Sequence, residues 1–96
     1  MRARLVIEYT HALVALEESR LEAGSPQDKL RGSLARILVR PMPDVDEPTR
    51  LEVAEARAAI VALFEHELGA PVIDFTAVDR VRTQLATLAR EAVGDP

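Results

Sequence analysis

The chain is predicted to be all-α, an antiparallel four-helix bundle, on three observations. Four stretches carry apolar residues at helical spacing, and the breaks between them hold glycine or proline beside capping residues; no stretch alternates apolar and polar residues with a partner to pair with. The one competitor is a strand over residues 4–9, where Leu5, Ile7 and Tyr9 alternate. A lone strand would leave its backbone groups unpaired.

The first helix is expected over residues 3–23 and carries two apolar stripes where a surface helix ordinarily carries one. Leu5, Val6, Tyr9, Ala12, Leu13 and Leu16 share a broad face. Ala3, Ile7, Val14 and Leu21 form a narrower stripe about a third of a turn away, which leaves Arg4, Glu8, His11, Glu18 and Glu22 for water. Such a helix needs neighbours on two sides, so the second stripe is the expected seam, either within the chain or with a protein partner or second copy. Thr10 and Glu17 interrupt it on a heptad, which predicts a short crossing and not a long coiled coil. Gly24 is expected to end the helix in a left-handed conformation.

Ser25-Pro26-Gln27-Asp28 combines a Ser cap, a first-turn proline and an acid three residues on, and opens a second helix over residues 26–39. Leu30, Leu34, Ile37 and Leu38 take one face; Lys29, Arg31, Arg36 and Arg40 take much of the rest. Gly32 in its middle costs about 1 kcal/mol against Ala, so it either permits a close approach or marks a weak point. Arg40-Pro41 ends the helix. An irregular, Pro-rich acidic linker over 41–48 follows, with Met42 and Val45 expected to plug the part of the first helix that the shorter second one leaves bare.

Thr49 to Glu52 reads as another capping box, opening a third helix over 50–68 with Val53, Ala54, Ala56, Ile60, Val61, Leu63, Phe64 and Leu68 on its apolar arc. Arg57 and Glu67 fall inside that arc, so they must be paired or reach the rim by their stems. The apolar run 70–75 is expected to pack down over one end of the bundle. A fourth helix over 76–93 starts at Asp74 or Thr76 and presents Ala77, Val78, Val81, Leu85, Leu88, Ala89 and Ala92 as a single stripe.

Composition narrows the function classes. Ninety-six residues make one domain, 1–96, whose apolar 48% is mainly Leu, Val and Ala with three aromatics, so a partner contact would add stability. Without cysteine there is no disulfide, thiolate ligand or Cys nucleophile, and no apolar run approaches a membrane span. A cytoplasmic protein is expected. The net charge of −4 is uneven, about +2 over residues 1–43 and −6 over the remainder.

Three constellations carry candidate chemistry. Glu8 and His11 have the Glu-x-x-His spacing of helical di-metal sites, but that site needs a second motif and two more carboxylates. Glu65-His66-Glu67 places a histidine between acids, although adjacent helical residues point about 100° apart and do not face each other. Lys29, Arg31, Arg36 and Arg40 offer a basic face for nucleic acid, against an acidic chain poor in aromatics and lacking the rest of a helix-turn-helix. Asp44, Asp46 and Glu47 lack the glycine and distal acid of a calcium loop. The sequence therefore points to a non-catalytic helical protein–protein interaction module, without cofactor, acting as an adaptor, regulator or assembly subunit and self-associating through Ala3, Ile7, Val14 and Leu21. A nucleic-acid-binding regulator is the alternative, with a Glu8–His11 metal bundle behind it.

Overall fold

Helices form where apolar spacing and local capping agree, and four of them result. The computed structural model describes residues 1–95, comprising α1 (Ala3–Arg20), α2 (Pro26–Leu38), α3 (Glu47–Leu68) and α4 (Phe75–Gly94), with no strand among the described residues. The expected four-helix bundle is thus the architecture found. α1 touches all three other helices and packs most extensively against α4. The core joins Leu5, Tyr9, Ala12 and Leu16 of α1 to Leu30 and Ile37 of α2, Ile60 and Phe64 of α3, and Val78, Val81 and Leu85 of α4.

α1 stops at Arg20, three residues before its expected end, because the carbonyls of its last turn are taken by a side chain from the next helix. Lys29 Nζ donates to the carbonyls of Ser19 at 3.4 Å, Arg20 at 2.9 Å and Glu22. The Ser19 carbonyl also accepts from Glu22 N at 3.2 Å, so the ammonium matters most to the carbonyls of Arg20 and Glu22 at the helix end. Beside this contact, Arg36 donates to Ser19 Oγ at 3.0 Å through Nη1 and pairs with Glu22 through Nη2. Gly24 has φ +138°, so its freedom serves the turn into α2 and not the end of α1 itself.

The Ser25 cap forms as expected, with Asp28 N donating to Ser25 Oγ at 3.1 Å and Ser25 N donating to the Asp28 carboxylate at 3.2 Å. Gly32 faces Ser19 of α1, where a Cβ would meet the hydroxyl oxygen at 3.5 Å, an ordinary contact. The glycine is therefore not needed for the helix approach.

The linker corrects two expectations. Met42 is 42% exposed and Val45 36%, so neither plugs the bundle. The N-terminal half of α1 is covered by α4 instead: the two helices are of similar length, and Arg2 N donates to the carbonyl of Ala92 at 2.8 Å. What pins the linker is Arg57 of α3, whose guanidinium donates to the carbonyls of Arg40 at 3.0 Å and Pro41 at 3.2 Å. α3 begins at Glu47, earlier than the box at Thr49 to Glu52 predicts, because Pro48 fits the first turn and needs no donor there.

α4 takes the earlier of its two expected starts, with Ala77 N donating to Asp74 Oδ1 at 3.3 Å. Its stripe is buried at Ala77, Val78, Val81, Leu85 and Ala92. The preceding run does not close the bundle end: only Ile73 packs on the core, while Val72 and Phe75 stay exposed.

Two stability changes follow from these contacts. Lys29→Met should lower the unfolding free energy by about 2 kcal/mol, since it strands the carbonyls that an ammonium satisfies, as read by urea denaturation. Gly32→Ala should raise it by up to about 1 kcal/mol in the same measurement, through helix propensity and with no clash to offset the gain.

Candidate interaction face on α1

The helical geometry that buries Leu5, Ala12 and Leu16 turns the second stripe outward. Ala3 is exposed, Ile7 is 41% exposed and Val14 51%, with no helix of the chain laid over them. The intrachain option for this stripe is thereby removed. Leu21 is 87% exposed but follows the end of the helix, so it lies in the α1–α2 turn and not on the face. Thr10, which interrupts the stripe in sequence, donates its hydroxyl to the carbonyl of Val6 at 2.7 Å. Its polar group is satisfied within α1.

On the inner flank of α1 the chain buries a charge that the sequence assigned to water. Glu8 is 5% exposed and receives Arg57 Nε at 3.3 Å on one oxygen, while Arg4 approaches the other at 3.5 Å. Glu8 Oε2, Arg4 Nε and His11 Nδ1 are buried without a hydrogen-bond partner. The signal that could have found this pair was Arg57 itself, a cation inside an apolar arc that required a buried acid opposite. As a metal half-site, Glu8 and His11 are ringed by guanidiniums that repel a cation. Among the described residues no three His, Cys, Asp or Glu side chains converge on one point.

Burial, and then the nearby Arg40, push the His11 imidazole below its ordinary value, with the Glu8 carboxylate opposing them. Its neutral form is favoured in the fold.

The other two constellations are taken up by structure. Glu67 is buried and forms a two-pronged pair with Arg80, at 2.9 and 2.8 Å, which holds its carboxyl below the usual range. His66 is exposed beside it on an open cleft of about 640 Å³ that Glu65, Gly69 and Gln84 also line. Of the four basic residues in and just after α2, Lys29 is buried on the α1 carbonyls and Arg36 is paired with Ser19 and Glu22. Arg31 and Arg40 remain exposed, two cations where a continuous basic face was expected. No protein-family model, curated protein or solved structure matches this chain.

The His11 environment has a measurable consequence. A histidine whose folded value is depressed contributes stability above its unfolded value of 6.5, and that contribution is lost as pH falls toward the folded value. Urea unfolding between about pH 7 and pH 5 should show stability declining with acidity, and His11→Gln should flatten that decline.

Proposed function

We propose that the chain is a non-catalytic helical interaction module that docks a protein partner on the outer face of α1. The observation that carries this reading is the exposure of Ile7 and Val14 at the middle of the helix on which the whole bundle packs. Ile7 and Val14 lie two turns apart on one face and are already about half-buried, so covering each at a contact stabilises it by about half of the roughly 1.5–3 kcal/mol of full burial. The face is also rigid: a helix held on its other sides by three neighbours loses little freedom on docking.

Charged side chains that elsewhere would suggest chemistry have structural employment here. Glu67, Lys29, Arg57 and Glu8 each hold one element of the bundle to another.

A photo-crosslinking residue tests the reading in the cells that natively make the chain. Val14→benzoylphenylalanine should yield adducts of discrete mass on illumination, and the same residue at the exposed Ala58 of α3 should not. Equal or absent adducts at the two positions would remove the reading.

A further inference from the structure

We infer that the cleft where α1, α3 and α4 meet binds an alkylammonium group, the head of a small free amine or of a lysine side chain. The cleft shares no residue with the outer stripe of α1, so it stands or falls apart from the interaction reading above.

Its floor is apolar, made of the buried Leu5 and Ala92 and the half-buried Leu88. Its rim sets Glu55, Glu91 and Asp95 against one cation, Arg2. Arg2 is committed to Glu55 through two nitrogens and reaches Asp95 only at 3.8 Å. Glu91 is exposed and has no ion-pair partner among the described residues, so the rim keeps an excess of negative charge.

An acidic rim alone would be ordinary solvated surface. What points to a ligand is Tyr9, which is 4% exposed and whose hydroxyl has no hydrogen-bond partner among the described residues. A buried hydroxyl left unbonded is costly, so a polar group is required to meet it. Burial and then Glu55 raise the phenol above its ordinary value, with Arg2 opposing and Glu91 adding to the rise; all three charged groups line the cleft, which places the hydroxyl there too. A neutral phenol presents oxygen lone pairs, and an ammonium brings three donors and a positive charge for that oxygen and the rim carboxylates together. Among the described residues no three acidic side chains converge tightly enough to hold a metal ion, which favours an organic cation. The cleft holds about 190 Å³, roughly six times the share of one water in the liquid, and takes a stem of a few methylenes over the apolar floor.

NMR titration of the intact chain with n-butylammonium and, separately, with Nα-acetyl-lysine methylamide tests the assignment. The amide signals of Tyr9, Leu88 and Glu91 should shift saturably at millimolar concentration, and n-butanol, of similar size but uncharged, should leave them in place. Saturation by n-butylammonium alone makes a free amine the ligand; saturation by the lysine probe as well admits a lysine side chain. Tyr9→Phe should raise the Kd about tenfold, and Glu91→Gln should raise it too, both with unchanged helical circular dichroism. Without ligand, Tyr9→Phe should unfold at the same or a higher urea concentration than the wild type, because an unbonded hydroxyl does not support the fold. A less stable Tyr9→Phe would mean that the hydroxyl is bonded inside the bundle, and would overturn the proposal. No saturable shift with either charged probe, or equal shifts with n-butanol, likewise overturns it.

Discussion

The inner face of α1 is the constraint on which the rest of the bundle depends. Leu5, Tyr9, Ala12 and Leu16 are all at most 5% exposed, and every other helix contributes core residues to the cluster they centre. A helix that must satisfy three neighbours at once has little room for large side chains between them, and alanines are fully buried at Ala12 and Ala56. Small residues at such positions let helix axes approach closely. The scarcity of aromatic mass is thus a property of the packing geometry, and Phe64 supplies the largest fully buried side chain.

Around that core, long charged side chains tie segments that short loops leave under-bonded. Lys29 closes the end of α1, Arg57 holds both Glu8 and the start of the linker, and Arg80 neutralises Glu67 between α3 and α4. Their weight differs from that of the exposed pairs such as Glu17 with Arg20, which water and mobile side chains reduce to about 0–1 kcal/mol. A buried carboxylate without its cation is strongly destabilising, so these ties also enforce which helices pair.

Much of the fold was legible because periodicity reports burial along one helix. The stripe of α4 and the caps at Ser25 and Asp74 are local features, and they appear where local reasoning puts them. The end of α1 was not legible, because it depends on Lys29, a residue of another helix whose apolar stem and charged head suit solvent equally well. Glu8 escaped for the same reason: a helical projection puts it beside His11 on a polar flank and has no means of knowing that Arg57 lies opposite. Met42, Val45, Val72 and Phe75 are single apolar residues in irregular or terminal segments, where no periodic pattern tells inside from outside. The outer stripe of α1 was legible as a stripe. Its exposure was a matter of three-dimensional arrangement, since α4 could have covered it.

The bond from Arg2 N to the Ala92 carbonyl, reinforced by Arg2 with Asp95, sets the first turn of α1 beside the last turn of α4. Tension applied through the two ends of the chain would therefore act across the α1–α4 seam and not along it. Loaded this way, the seam opens turn by turn as a zipper, each step resisted only by the contacts of that turn, whereas a shearing geometry would load them all together. The mechanical weak axis of the molecule thus coincides with its most extensive internal contact.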